Sequence, residues 1–219
     1  MAARASAPDP HAALAASDPA IARLIAEIDA GSIETRLRGR DADRFVALAR
    51  IVTGQQVSTA AARTIWGRVL DAFGGPPTPE AITAGGGEET LRTAGLSGRK
   101  ASYIVGIAEA IVSGELRPHE LDDASDEEVI ETLIALRGLG RWSAEMFLIF
   151  DLGRPDVFSG GDLGLRHGIR IAFGLDEPPT PEEAVAIAER WAPHRSLASL
   201  YLWQAVGIGL PVAVAEEGG

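Results

Sequence analysis

Cysteine is absent from this 219-residue chain, and its absence excludes several kinds of site. Without thiolates the protein cannot form disulfides, cysteine-ligated zinc sites or cysteine-ligated iron–sulfur clusters. The four histidines are His11, His119, His167 and His194, and their spacing matches no common metal-ligand pattern. We therefore expect no required metal cofactor, which argues against a zinc-dependent nucleobase deaminase.

Long hydrophobic runs are also absent. No apolar stretch approaches the roughly 18 residues of a membrane helix, and the opening MAARASAPDPHAALAAS lacks the continuous apolar segment of a secretory signal. A hydrophobic content of 46% nevertheless allows a substantial core. We expect a soluble cytoplasmic protein without a membrane partner, and a disordered tail over the Ala- and Pro-rich residues 1–17.

Positive charge is scarce, because the net charge is −11 and Lys100 is the single lysine. Duplex DNA repels an acidic protein, so this balance opposes non-specific DNA binding over the whole surface. The charges are unevenly distributed, however. Residues 115–131 contain eight acidic residues and one arginine, whereas residues 137–170 contain five arginines and four acidic residues. A nucleic-acid surface is therefore compatible with the second of these stretches.

Hydrophobic periodicity predicts helices throughout and no convincing strand. The predicted helices are Pro19–Ala30, Asp41–Thr53, one capped by Ser58, one from Leu96 to about Ser113, Leu163–Phe173, Pro181–Trp191 and His194–Trp203. Proline and glycine clusters separate them. The fold class is predicted to be all-α, with one helical lobe formed by residues 18–40 and 152–219. A middle bundle, residues 41–151, forms the other lobe and ends in a helix-hairpin-helix.

The hairpin is predicted where a helix beginning at Asp126 stops at Gly138-Leu139-Gly140 and a second helix begins near Arg141. Two glycines allow a sharp turn with positive φ, and Leu139 can pin that turn between the helices. The first N–H groups of the second helix then suit an anion such as a phosphate. The same pattern also occurs in an ordinary helix C-cap without a ligand.

Two further stretches carry polar residues where a core would place apolar ones. Asp162 follows Ser159-Gly160-Gly161 and precedes an amphipathic helix, so it is an N-cap and also a candidate catalytic carboxylate. Gln55 and Gln56 lie in a tight interhelical turn, where they are either exposed by default or placed to touch a ligand.

Together these stretches resemble a known family. The strings LRGLGRWSAEMF and DVFSGGDLGLRHGI resemble the hairpin and catalytic aspartate loop of the helix-hairpin-helix (HhH-GPD) DNA glycosylases, most closely the 3-methyladenine DNA glycosylase II (AlkA) type. IVTGQQVSTAAARTI is similar to the loop with which that family probes the duplex. LSGRKASYI and WAPHRSLASLYLW are similar to a packing segment and to the closing helix. The resemblance covers residues 18–208.

The resemblance implies a role for each candidate residue. Asp162 would be the catalytic carboxylate, with Asp156 a structural neighbour. The residues implied to contact DNA are Gly138, Leu139, Gly140, Arg141 and Ser143 of the hairpin, with Gln55 and Gln56 of the loop. Gln56 occupies the position of the side chain inserted into the gap left by a flipped nucleotide. The implied base pocket consists of Trp142, Trp203, Met146 and Leu163. The resemblance favours a pocket position for Trp142, whereas Trp203 is equally compatible with a core position.

Two features of the resemblance concern cofactors and reaction type. The carbonyls of Ile134, Leu136 and Leu139 match family positions that can bind a structural Na⁺ or K⁺, and no iron–sulfur cluster is implied. Bifunctional members carry a lysine nucleophile where this chain has Trp142. We therefore expect a monofunctional enzyme without AP-lyase activity, as a monomer acting on damaged double-stranded DNA in the cytoplasm or nucleoid.

The expected reaction is hydrolysis of the N-glycosidic bond of alkylated bases, of the 3-methyladenine and 7-methylguanine class, in base excision repair. Two alternatives remain open at this point. One is a glycosylase for another lesion, such as hypoxanthine or uracil. The other is a non-catalytic hairpin module that only holds DNA.

Overall fold

The computed structural model describes residues 9–33 and 43–213. The chain divides into two compact units, a terminal unit of Met1–Gly39 with Gly153–Gly219 and a middle unit of Arg40–Leu152. The boundary expected between residues 40 and 41 falls outside the described residues. The boundary expected between residues 151 and 152 lies one residue before the division that follows Leu152.

The described residues form helices and no strands, which confirms the all-α prediction. In chain order the α-helices are α1 (Pro10–Ser17), α2 (Pro19–Glu27), α3 (Arg44–Gly54), α4 (Thr59–Phe73), α5 (Pro79–Thr83), α6 (Gly87–Thr93), α7 (Gly98–Val112), α8 (Asp126–Ile134), α9 (Arg141–Phe147), α10 (Leu163–Phe173), α11 (Pro181–Ala188) and α12 (Arg195–Gly207). Residues 30–33 are also helical. Pro118–Asp122 and Glu189–Trp191 are 3₁₀ helices, and Leu148–Leu152 is a π-helical turn.

Local capping explains where many of these helices begin. Ser58, as predicted, accepts a hydrogen bond from the N–H of Ala61 at the start of α4. Ser125 and Glu128 form a reciprocal capping box at the start of α8. Each such cap stabilises its helix by about 1 kcal/mol relative to alanine. The polar residues that bound the helices are therefore a main source of the boundary predictions.

In the terminal unit, α10 and α12 pack closely around a buried core. A Cβ added to Gly168 would lie 2.7 Å from Cβ of Leu202, so the two helices approach as closely as only glycine permits. The fully buried Trp191 donates its indole N–H to Asp18 over 3.1 Å, which satisfies both polar groups at the start of α2.

The prediction of a disordered tail over residues 1–17 is wrong for Pro10–Ser17, which form α1. Asp9 caps this helix, and Leu14 on its inner face is fully buried. His11 Nδ1 lies 2.7 Å from the Tyr201 hydroxyl of α12. Alanine is the best helix former, so its abundance favours a helix once two side chains anchor the segment. Residues 1–8 lie outside the described part of the chain.

In the middle unit, α3 packs against α4, α7 and α9. The Arg44 guanidinium donates to Asp122 and, over 2.9 Å, to the buried carboxylate of Asp151. These bonds tie the start of α3 to the 3₁₀ helix and to the π-helical turn. α3 thereby has a fixed place in the middle unit, and it ends at the loop that contacts the hairpin described below.

Throughout residues 9–33 and 43–213, each helix is either too short or too polar to span a bilayer.

Candidate functional site

The hairpin turn occupies residues 135–140, because α8 ends at Ile134 rather than continuing to Gly138. Gly138 has a φ of 94° and confirms the predicted left-handed turn. A Cβ at Gly138 would lie 2.2 Å from the Tyr103 ring, so a side chain is excluded there. Leu139 is buried, as expected of a residue that pins the turn between two helices. The turn is thus fixed by one glycine and one leucine.

Gly140 differs from Gly138 both in its backbone conformation and in the space around it. Its φ is −114°, so of the two glycines it is Gly138 that supplies the positive φ of the turn. The turn needs only one left-handed residue, because an N-cap adopts extended backbone. A Cβ at Gly140 would meet nothing within 4 Å. The fold therefore does not require glycine here, and the space in front of the backbone is open.

Gln55 braces the hairpin turn from the neighbouring loop. Its Nε2 donates to the carbonyl of Gly138 over 2.8 Å and to the hydroxyl of Ser143 over 3.1 Å. Ser143 is itself buried. The side chains of Gln55 and Ser143, both predicted to contact DNA, are hydrogen-bonded to each other, and their contact with DNA stays a prediction. The sequence could not reveal the bond to Gly138, because 83 residues separate Gln55 from Gly138.

Gln56 is exposed and has a φ of 55°, which makes it the non-glycine residue with positive φ in the described chain. Two open cavities of about 270 Å³ each adjoin it, and both are lined by Gln55, Gln56, Arg99 and Lys100. Of the two glutamines proposed to enter the duplex, Gln56 is therefore the one that is exposed.

Arg141 opens α9 and makes two intramolecular ion pairs. Its Nε lies 3.1 Å from Glu145, and its Nη1 lies 3.4 Å from Glu127. The arginine side chain remains 62% exposed. The pair with Glu127 is exposed on both sides and contributes at most about 1 kcal/mol, whereas Glu145 is buried. A DNA phosphate can therefore displace Glu127 from Arg141 more readily than Glu145. The contact of Arg141 with DNA stays a prediction.

Lys100, the single lysine, caps the end of α3. Its Nζ donates to the carbonyls of Thr53 and Gln55 over 2.9 Å and 2.6 Å. Burial, with the nearby charge of Arg99, lowers the pKa of Lys100. The amine is thus engaged by two backbone oxygens.

Asp162 lies in the terminal unit and is the N-cap of α10, as predicted. Its Oδ1 accepts two hydrogen bonds, from the N–H of Leu165 at 2.8 Å and from the indole N–H of Trp203 at 2.9 Å. The backbone N–H of Asp162 donates to the carbonyl of the buried Ser159 over 3.0 Å. The partly buried carboxylate is therefore held by two hydrogen bonds and its backbone by a third, while its catalytic role remains a prediction.

Gly164 makes the bond between Trp203 and Asp162 possible. A Cβ at Gly164 would lie 3.0 Å from Oδ1 of Asp162 and 3.1 Å from Cδ1 of Trp203. Any side chain would press between the indole and the carboxylate. Sequence reasoning missed this glycine, since only its place two residues after the aspartate could have drawn attention to it.

The four predicted pocket residues are divided between the units. Trp142 and Met146 belong to α9 of the middle unit, where Trp142 is half-buried and Met146 is buried. Leu163 and Trp203 belong to the terminal unit. Leu163 is 57% exposed, and its contact with a base stays a prediction. Trp203 is half-buried, with its N–H committed to Asp162.

Asp156, six residues before Asp162, has a structural role, which agrees with the interpretation from sequence. Arg195 donates to it through Nε at 2.8 Å and Nη2 at 2.9 Å, and the backbone N–H of Arg195 is 3.2 Å from Oδ1. The side-chain hydrogen bonds from Arg195 hold the pKa of Asp156 below its usual range. The carboxylate thereby caps α12 from a different part of the chain.

The carbonyls suggested for a monovalent cation lie where α8 gives way to the turn. That of Leu136 accepts the N–H of Leu139 over 3.2 Å. A carbonyl oxygen has a second lone pair, so this bond is compatible with an ion. Within the described ranges, side chains of His, Asp and Glu form no cluster of three or more suited to a metal.

Comparisons with known proteins identify the family of this chain. The family model described as "HhH-GPD superfamily base excision DNA repair protein" matches residues 49–194. DNA-3-methyladenine glycosylase 1 of Schizosaccharomyces pombe is 39% identical over 163 residues, which cover 73% of this chain and 71% of that protein. A DNA-3-methyladenine glycosylase of Bacillus subtilis is 32% identical over 173 residues. That match covers 74% of this chain but only 57% of the Bacillus protein.

A solved structure extends the similarity over nearly the whole chain. The 3-methyladenine DNA glycosylase of S. pombe in complex with abasic DNA superposes with a TM-score of 0.78 and 32% identity. The match covers 96% of this chain and 99% of that one. The chain therefore belongs to the HhH-GPD superfamily of base excision DNA repair proteins.

Proposed function

We propose that this protein is a monofunctional DNA glycosylase that removes alkylated bases, of the 3-methyladenine and 7-methylguanine class, from double-stranded DNA. The observation that carries the proposal is the fixed carboxylate of Asp162, held by the N–H groups of Leu165 and Trp203. Relatives named DNA-3-methyladenine glycosylase support the choice of lesion.

The chemistry follows from what happens to the sugar. As the base departs, positive charge develops on C1′ and O4′, and a fixed carboxylate stabilises that charge without having to reorient. The two bonds to Oδ1 and the packing of Gly164 supply this fixed orientation. A base alkylated on a ring nitrogen already carries positive charge and leaves readily. One carboxylate therefore suffices, without a dedicated general acid. Water then adds to C1′ and loses a proton, which leaves an abasic sugar.

Recognition of the lesion is assigned to aromatic and apolar side chains. A flipped base is read by stacking in such sites, and an indole favours a cationic base by about 0.5 to 2 kcal/mol through its π face. Trp142, half-buried on α9, is the candidate for this contact, because the family resemblance assigns it to the base pocket. Gln56, exposed on its left-handed backbone, is assigned to the gap that the flipped nucleotide leaves.

The absence of AP-lyase activity is part of the proposal. Strand cleavage by these enzymes needs an amine that attacks C1′. The chain has Trp142 at the family's lysine position, and the amine of Lys100 is bound to two backbone carbonyls. Borohydride trapping on damaged DNA should therefore give no covalent adduct.

We assign to the hairpin the binding of the DNA backbone. Amide groups entering α9 would bind one phosphate, and the open space at Gly140 allows the strand to approach. A Na⁺ or K⁺ on the carbonyls of Ile134, Leu136 and Leu139 would add positive charge to the same turn.

We further propose that the protein acts as a monomer in the cytoplasm, at the nucleoid.

The test is release of free base from methylated duplex DNA and from duplexes that carry single hypoxanthine or uracil residues. The proposal predicts that the alkylated bases are released and that hypoxanthine and uracil are released much more slowly. Faster release of either of the latter would reassign the lesion. Tight binding of abasic DNA with no base released from any substrate would instead favour a non-catalytic DNA-binding module.

A further inference from the structure

The loop between α3 and α4 holds an exposed glutamine on a strained backbone. Gln56 has a φ of 55°, in the left-handed region that residues with a Cβ rarely adopt. Strain of this kind persists where surrounding contacts impose it, and such positions cluster at functional sites. The contacts that impose it here come from two side chains.

Gln55 and Lys100 hold the residue immediately before Gln56. The side chain of Gln55 donates to the Gly138 carbonyl and the Ser143 hydroxyl. The carbonyl of Gln55 accepts from Lys100 Nζ over 2.6 Å. Gln55 is thus fixed at its side chain by the hairpin and at its backbone by α7. Gln56, which comes next, is left exposed between the two open cavities.

Gly138, whose carbonyl accepts the hydrogen bond from Gln55, is held in place by its neighbours. Gly138 is seated on the Tyr103 ring, and the guanidinium of Arg137 lies 5.7 Å from the centroid of the same ring. Since the turn is fixed against α7 and the loop is fixed to the turn, the position of Gln56 relative to the hairpin is set before any ligand binds.

We infer that Gln55 is a positioning residue, which places Gln56 for insertion into the duplex by linking its loop to the hairpin. This rests on the proposed function, in which the hairpin holds a phosphate and Gln56 fills the gap beside the flipped nucleotide. Both contacts form on the same DNA. A rigid link between them reduces the conformational freedom lost when the nucleotide flips. Gln55 therefore acts on base excision through Gln56, without touching the reacting atoms.

The test is a double-mutant cycle on single-turnover excision of an alkylated base, with Gln55→Met, Gln56→Ala and the double variant. Methionine keeps the length of the side chain but removes both donated hydrogen bonds. We expect Gln55→Met to slow excision about 10-fold in the wild-type background and less than about 2-fold when Gln56 is already alanine, because coupled residues are not additive. Gln204→Met, the same replacement on α12, is the matched control and should leave excision unchanged.

A general loss of fold or of hairpin anchoring gives a different pattern. It would slow excision by the same factor in both backgrounds, and that result would overturn the inference, as would an unchanged rate for Gln55→Met. Melting curves identify unfolded variants, and Gln55→Glu, which also lacks the amide donors, enters the same cycle if Gln55→Met does not fold. If the wild-type protein releases no base from any substrate, the proposed function itself fails. An active wild type with an additive cycle refutes the role of Gln55 alone.

Discussion

The hairpin turn and the aspartate loop each contain two residues of the same amino-acid type that have different roles. In the hairpin, Gly138 is required by the Tyr103 ring, whereas the surroundings of Gly140 are open. In the aspartate loop, Asp156 is bound by the Arg195 guanidinium, whereas Asp162 is held through Oδ1 by two N–H groups. One member of each pair maintains the fold, and the other is assigned to the ligand. Residue type alone does not separate these duties; the neighbouring atoms do.

Replacing Gly138 should have the largest effect on stability. Gly138→Ala places a Cβ 2.2 Å from the Tyr103 ring on a left-handed backbone. We expect the free energy of unfolding to fall by about 3 kcal/mol or more, as for an overpacked site with an incompatible backbone. Chemical denaturation measures this loss. A denaturation midpoint equal to that of the wild type would show that the turn relaxes and that Gly138 is not required.

Trp203→Phe tests the orientation of Asp162. Phenylalanine keeps an aromatic ring but cannot donate a hydrogen bond to Oδ1. We expect single-turnover excision to slow about 10-fold, equivalent to about 1.4 kcal/mol of lost transition-state stabilisation. Excision at the wild-type rate would mean that Leu165 alone is sufficient to hold the carboxylate.

Gly140→Ala should separate DNA binding from stability, in contrast to Gly138→Ala. Alanine fits the extended backbone and meets no neighbour, so the melting temperature should stay within about 2 °C of the wild type, since surface changes contribute less than about 0.5 kcal/mol. The added methyl group stands in the open space in front of the turn. We expect affinity for abasic duplex DNA to fall about 5-fold through loss of one backbone contact. Fluorescence anisotropy measures that affinity, and undiminished binding would remove Gly140 from the interface.

Asp156→Asn should have a small effect on stability, and that effect should depend on pH. Hydrogen bonds from Arg195 depress the pKa of Asp156 in the folded protein. The resulting stabilisation is present above the unfolded pKa of about 3.9 and is lost as the pH falls through the folded value. We expect the variant to be less stable by about 1 kcal/mol at pH 6, a value typical of partly exposed pairs. The difference should shrink below pH 4, and a constant difference would contradict this account of the ion pair.

Local signals in the sequence were sufficient for several elements. The bounds of α10 and the cap by Asp162 were predicted correctly, because an N-cap followed by an amphipathic pattern is a short-range signal. The same holds for Ser58 and α4. In contrast, α1 was missed because its alanines and prolines are also typical of disordered segments. Its anchor, the contact of His11 with Tyr201, spans 190 residues.

Two kinds of feature in the site were not predicted. They are the long-range hydrogen bonds and the sign of the φ angle at the hairpin glycines. The bond from Trp203 to Asp162 joins residues 41 positions apart, and the bond from Gln55 to Gly138 joins residues 83 positions apart. No spacing rule encodes either of them. Glycine in a sequence also does not reveal the sign of its φ, so the hairpin glycines were predicted alike although only Gly138 is left-handed. The resemblance to the family implied roles for Asp162 and Gln56, and the structure adds that Gln56 is exposed whereas the Gln55 side chain is hydrogen-bonded within the protein.

The central claim is that the charge of Asp162 drives base excision, beyond its role as a helix cap. The most direct measurement is the single-turnover rate of alkylated-base release by Asp162→Asn, together with its melting temperature. Asparagine caps a helix almost as well as aspartate, and its carbonyl can accept from both Leu165 and Trp203. We expect the melting temperature to be retained and the rate to fall at least about 100-fold, as when a main electrostatic stabiliser is removed. Release at the wild-type rate by a stably folded variant would contradict the account.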